Sequence, residues 1–213
     1  MVALVRPSIF AQDVVEMGRS RVPPPQHVIG WKLAILTDSA GDVDISYLDS
    51  WAFDMAPGEN IDKYIKEYAG DPDKVRGKPP SDPYPNKSKS NLSIRHDAFS
   101  YMVFILHNKN LQFCEGNEAF RVERNNADYY TDPLCAWDVN GAISTGRIPG
   151  ARCRVASFLA NSAADQAAST MEFFTSFNIY LDMRLKRKDD ESQIRTLPIV
   201  IDPDVGYPGG NQP

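Results

Sequence analysis

The residues best placed to do chemistry in this chain are carboxylates and aromatic rings that fall close together. Asp138-Val139-Asn140-Gly141 sets alternating oxygen groups ahead of a glycine, and Asp202-Pro203-Asp204 carries two carboxylates with one residue between them. A hard cation such as calcium takes several oxygen ligands from closely placed Asp, Asn and carbonyl groups. Asp138, Asn140, Asp202 and Asp204 are therefore the candidate metal ligands of a carboxylate-dependent or metal-dependent reading, with calcium as the cofactor. Neither stretch continues into a full EF-hand loop, and Asp and Asn beside glycine or proline are common turn residues. The plainer expectation is that these four shape turns and finish strands, with no cofactor bound.

A second group is Asn125-Asn126-Ala127-Asp128-Tyr129-Tyr130-Thr131-Asp132, with Trp137 close behind. Aromatic rings can lie on the apolar faces of a sugar while Asp and Asn bond its hydroxyls. Asp128, Tyr129, Tyr130 and Trp137 are the candidate residues of such a ligand surface. The competing reading is structural, since Tyr and Trp near strand ends pack into cores with their polar tips outward.

Little else in the chain is reactive by type and spacing. His27, His96 and His107 are its histidines, and none falls in an HxH or HExxH pattern. Cys114 and His107 could form a nucleophile pair, but no nearby residue supplies an orienting group or an oxyanion site. There is no GxGxxG, Walker loop or GxSxG elbow. Gly206-Tyr207-Pro208-Gly209-Gly210 follows a strand signal and has no helix after it to receive a phosphate. A nonenzymatic protein is expected.

These residues depend on the elements that hold them, and the dominant signal there is period two. A strand with one face on a core and one in water alternates apolar and polar side chains. Phe173, Phe177, Ile179, Leu181, Met183 and Leu185 alternate with Ser176, Asn178, Asp182, Arg184 and Lys186. Val43 to Asp54 alternates too, with a lapse at Leu48-Asp49 that points to two strands or a bulge. Further strands are expected over 27–37, 111–114, 119–123, 136–139, 152–158 and 197–201. The unbroken run of residues 101–107, YMVFILH, reads as a central strand covered on both faces. Asn140-Gly141 marks a tight turn, and Pro198 marks an edge strand or a bulge.

Only one segment reads firmly as helix. Ile61, Tyr64, Ile65 and Tyr68 are spaced i, i+3, i+4, i+7 between Pro57-Gly58 and Gly70. The helix is short and is expected across one end of the sheets. Ser162 to Ser169 could add a turn or two. The prolines at 72, 79, 80, 83 and 85 forbid regular structure, so 71–90 is expected to be a long surface loop and 205–213 a flexible tail. The fold class that results is all-β: one domain, 1–213, a two-sheet antiparallel sandwich of jelly-roll or immunoglobulin-like type.

Bulk properties limit the partners. With 23 basic and 28 acidic residues the net charge is −5, which opposes general attraction to nucleic acid or anionic membrane. A local exception is Lys74, Arg76, Lys78, Lys87 and Lys89, which face only Asp82 and read as a solvated loop, with an anion-binding patch as the alternative. The 3 cysteines are widely spaced, as reduced cytoplasmic thiols would be, and one bridge with one spare thiol is the alternative. MVALVRPSIF lacks the apolar core of a signal peptide, and no run of about 18 apolar residues occurs. A cytoplasmic location is expected.

The C-terminal part carries a resemblance. Phe177-Asn178-Ile179-Tyr180-Leu181-Asp182, then Leu197-Pro198-Ile199-Val200-Ile201-Asp202-Pro203-Asp204 and Tyr207-Pro208-Gly209-Gly210, resembles the ending of small uncharacterised bacterial proteins labelled "nucleotide synthetase". More distantly, a strand closing on Asp-Pro looks like the bacterial inclusion-body proteins of the PixA and AidA type. The first resemblance implies nucleotide chemistry, although no phosphate-cradling loop accompanies it. The second implies a nonenzymatic sandwich that associates with itself and, in some members, binds sugar. Neither carries a catalytic residue onto this chain. The function expected is ligand binding, with a glycan as one class of ligand, or self-assembly into a homo-oligomer. The alternatives are a hydrolase or nucleotide-processing enzyme at the metal candidates, and a virion or filament subunit.

Overall fold

The computed structural model of the protein describes residues 27–37, 43–74, 93–95, 100–122, 130–160, 173–186, 194–201 and 204–207. The central strand of its first sheet is β4 (Ser100–Leu106), whose run YMVFIL is apolar without a break, so both of its faces need cover. Parallel β1 (His27–Thr37) flanks it on one side and antiparallel β9 (Val155–Ala160) on the other. With β2 (Val43–Asp54), β7 (Tyr130–Val139) and β8 (Ala142–Gly146), the order is β2-β1-β4-β9-β7-β8.

The two faces of β4 join two separate clusters. Met102, Phe104 and Leu106 belong to the core between the sheets, while Val103 and Ile105 pack on the opposite side. That opposite side is closed by α1 (Ile61–Gly70), which buries Ile61, Tyr64, Ile65 and Tyr68 against Trp51, Val103, Ile105 and Val155. Asn60 caps the helix by accepting the Lys63 N–H at 3.3 Å. Spacing alone points to a helix across one end of the sheets. It lies instead on the outer face of the first sheet, because the outward residues of β4 and β9 are apolar and need cover.

The second sheet is organised on β10 (Phe173–Lys186), 14 residues long. Along one edge run β11 (Ile194–Ile201) and β12 (Asp204–Tyr207) in one continuous register, with Ile179 opposite Ile201 and Ser176 opposite Asp204. Along the other edge run β5 (Leu111–Phe113) and β6 (Phe120–Val122). The excursion between these two is anchored at both feet: the Cys114 N–H donates to the Tyr180 carbonyl at 3.1 Å, and the Tyr180 N–H to the Ala119 carbonyl at 3.0 Å. β3 (Ser93–Arg95) adds to β12 in parallel. Two mostly antiparallel sheets with one short helix confirm the expected sandwich class.

The lapse at Leu48-Asp49 is a bulge: Lys32 pairs with Asp49 and Leu33 with Tyr47, leaving Leu48 as the extra residue, 44% exposed. Asn140 and Gly141 turn β7 into β8 with φ of 53° and 88°, the two left-handed residues of a tight hairpin. Pro198 lies on β11, which ends its sheet's order. Three short strands have no counterpart in the sequence pattern: β3, β8 and β12. Of these, β12 occupies 204–207, where a flexible tail is expected from 205. Of the 71–90 loop only 71–74 are described, and the Lys74 N–H donates there to the Asp71 carbonyl at 3.1 Å. The 162–169 segment and 208–213 lie outside the described residues.

Between the sheets the core is a web of rings. Phe120, Phe158 and Phe177 meet with centroids 4.8 to 6.1 Å apart, and Phe104 contacts all three. Edge-on and tilted geometries dominate, as the ring quadrupole favours. On the other side of the sheet, Trp51 is 2% exposed and lies over Gly30, where a Cβ would fall 2.1 Å from its Cζ2. Gly30→Ala should therefore destabilise the protein by roughly 1–3 kcal/mol in urea unfolding, through overpacking. Trp51→Leu in the same chain should return part of that loss, and a fully additive pair would disprove the contact as the cause.

Candidate functional site

A cavity of about 370 Å³ lies between the sheets, where ring packing stops short of filling the space. Its wall is Phe120 from β6, Tyr130 from β7, Phe158 from β9 and Phe177 from β10. Glu118, Asp132 and Arg147 add two carboxylates and a guanidinium to the same lining. An apolar wall with a few polar groups is the usual construction of a small-ligand site.

The polar side is shaped by an irregularity in β7. Thr131 pairs with Leu159 but Leu134 with Ser157, so the register slips across Asp132-Pro133. Proline has no N–H for the ladder, and a bulge accommodates it. Asp132 takes a φ of 51°, a left-handed conformation that an L-residue adopts at a cost. Thr131, Asp132 and Pro133 all line the cavity. The Tyr101 hydroxyl is pushed above its usual range, first by burial and then by the Asp132 carboxylate.

The residues singled out in the sequence divide. Tyr130 lines the cavity, is 7% exposed, and meets Phe158 and Phe177 at 5.2 Å each. Trp137 is half-buried over Gly150 and Gly146, where a Cβ on Gly150 would fall 2.2 Å from its indole nitrogen. That ring packs against its own chain and the core. Asp128 and Tyr129 lie outside the described residues.

Of the metal candidates, Asp138 accepts the Gly141 N–H at 2.8 Å within the β7–β8 hairpin, and Asn140 is exposed at its tip. Asp204 has its backbone in β12 of the other sheet, and Asp202 lies outside the described residues. Among the described residues no group of three His, Cys, Asp or Glu is arranged to hold a metal ion. Glu118 and Arg147 were not singled out by type or spacing, and Asp132 closes the 125–132 stretch without being among its candidate ligand residues. Asp132-Pro133 inside a strand was the one available signal, because proline there calls for a bulge.

The thiols read as structural. The three cysteines are unbridged, with Cys135 and Cys153 buried. The neighbouring Cys153 thiol, together with burial, pushes Cys135 up. Cys114 donates to Asp182 Oδ1 at 3.4 Å and takes no bond from His107. Burial and then the Asp182 carboxylate push its thiol up to about 12. His27 bonds Asp54 at 2.8 Å across the β1–β2 pair, His107 is exposed, and His96 lies outside the described residues.

Among the described residues no helix is long and apolar enough to cross a membrane. No protein-family model matches the chain, and no curated protein shows significant similarity to it.

At pH 8 a thiol held at about 12 is thiolate in about one molecule in ten thousand. Native Cys114 should therefore resist iodoacetamide at that pH, and His107→Ala should change nothing. Asp182→Asn removes the charge that opposes ionisation and should speed alkylation, as followed by mass spectrometry. Alkylation of the wild type at the rate of free cysteine would restore the nucleophile reading.

Proposed function

We propose that the chain is a nonenzymatic β-sandwich binding protein that holds a small polyhydroxylated ligand, a sugar by class, in the cavity between its sheets. The observation that carries this is the lining: aromatic rings together with Glu118, Asp132 and Arg147 enclose about 370 Å³. Cavities of that order hold small molecules, and the space suits one or two sugar rings. Rings take the apolar face of a pyranose, while carboxylates and guanidinium take its hydroxyls in charge-assisted hydrogen bonds. The strained Asp132 supports the same reading, since strain is retained where the residue it positions is used. The competing hydrolase reading has weaker support, because Asp138 is engaged in its own turn.

Self-association is a second reading, favoured by β11. It ends its sheet's order and exposes Ile194, Leu197 and Val200 to 44%, 49% and 54%. Unpaired backbone with apolar side chains is a template for a second copy, and Pro198 interrupts that template without removing it. The resemblance to inclusion-body proteins points the same way.

Two measurements separate the readings. On a glycan array the wild type should retain a sugar, and Asp132→Asn with Glu118→Gln should weaken that retention about tenfold or more, with an unchanged melting temperature. A wild type that retains no glycan would remove the first reading. For the second, light scattering should show a species larger than the monomer that Val200→Lys returns to monomer. A wild type monomeric at every concentration would remove it.

A further inference from the structure

A second cavity, of about 380 Å³, shares no lining residue with the aromatic one. Four stretches of chain build it, and they bring five cations to one place. Lys109 comes from the turn before β5, Arg152 and Arg154 from the connection between β8 and β9, and Arg184 and Lys186 from the end of β10. Among the described residues no carboxylate lines it. Among the described residues Lys109, Arg152 and Arg184 form no ion pair. In a protein of net charge −5 this is a local reversal of sign.

The arrangement is built into the fold. Arg154 is half-buried, and its guanidinium donates to the Leu106 carbonyl at 3.0 Å and the His107 carbonyl at 2.7 Å, which pins it against the end of β4. The Arg184 N–H donates to the Asn110 carbonyl at 2.7 Å, tying β10 to the turn that carries Lys109. Ile194, 44% exposed, gives the cavity an apolar side chain beside the cations, while Leu111, 1% exposed, ties the cavity to the core.

Arg152 is the most informative residue. The Cys153 N–H donates to the Gly150 carbonyl at 3.2 Å, which closes a four-residue turn with Arg152 at its third position and a φ of 61°. That position of such a turn ordinarily takes glycine or asparagine, because other side chains are strained there. An arginine held in a glycine's conformation beside other cations opposes stability twice, by backbone strain and by charge repulsion. Both are offset when an anion sits among them.

We propose that this cavity binds a small organic phosphate, with Lys109, Arg152 and Arg184 taking the phosphate and the exposed apolar side chain of Ile194 taking the organic body. Phosphate is favoured over a single carboxylate because it offers more charge and more acceptor oxygens to the several cations that converge here, where a carboxylate would satisfy a single guanidinium fork. A small molecule is favoured over nucleic acid because the cations meet in a concavity, where a backbone footprint would run as a stripe over a basic surface. The site is independent of the aromatic cavity and of the sugar reading.

The test titrates phenyl phosphate calorimetrically at low salt, with inorganic phosphate, duplex DNA and phosphatidylserine vesicles as parallel probes. Phenyl phosphate should bind the wild type, more tightly than inorganic phosphate does, and added salt should weaken it. Arg152→Gly should raise the melting temperature of the free protein while lowering phenyl phosphate affinity at least tenfold. Arg184→Gln should lose affinity to a similar degree, and Arg184→Lys should keep part of it. The proposal is overturned by no binding of phenyl phosphate to the wild type, or by both Arg152→Gly and Arg184→Gln binding it unchanged. Binding of DNA or vesicles without phenyl phosphate would overturn it in favour of a macromolecular partner.

Discussion

The structure depends on the packing of β10 against the first sheet through aromatic rings. Phe177 of β10 meets Phe104, Tyr130 and Phe158 of the first sheet, contacts that join the two sheets, and Phe120 of its own sheet. Burial of each such side chain contributes roughly 1.5–3 kcal/mol, and favourable ring geometry adds about 0.5–1.5 kcal/mol per pair. β10 receives β5 and β6 on one edge and β11 and β12 on the other, so its placement fixes all four. The aromatic cavity is the place where this packing ends before the sheets close. Its wall therefore belongs to the core, and its polar lining is the part the fold can vary.

The first sheet has a different logic, set by β4. Because β4 is apolar on both faces, the protein has three layers rather than two, with α1 as the third. This also accounts for the parallel pairing of β1 and β4 in a largely antiparallel fold. Parallel neighbours need a long crossover, and the chain between them holds both β2 and α1. The crossover that makes the pairing possible brings the helix to the face that needs it.

Much of this was legible in the residues. The period-two pattern of β10 and the unbroken run of β4 specify their faces directly, and Leu48 announces its bulge by breaking an alternation. What escaped was short or cooperative. β3 is 3 residues long and pairs only with β12, another short strand that no alternation announces. β12 continues β11 in register past Asp202-Pro203, which the sequence alone presents as a stop. Tyr130 was recognisable as an aromatic of interest, but its partners Phe120, Phe158 and Phe177 come from three other strands, and no spacing along one chain reveals that meeting. The basic cavity was hidden for the same reason. The basic cluster visible in sequence lies at residues 74–89, whereas the cations that converge in space are scattered from Lys109 to Lys186.

Backbone strain coincides with both cavities. Three non-glycine residues among those described have positive φ: Asp132, Asn140 and Arg152. Asn140 is accounted for by its hairpin, where the left-handed conformation is required and asparagine tolerates it. Arg152 is not a residue that local geometry would select, and although aspartate, like asparagine, visits this region, glycine would satisfy either backbone at lower energy. Each lines one of the two cavities and presents to it a charge of opposite sign, a carboxylate in the aromatic cavity and a guanidinium in the basic one. A sequence free to relieve that strain would place glycine at both positions. Under the two binding proposals the charge, rather than the turn, is the property each of these positions would serve.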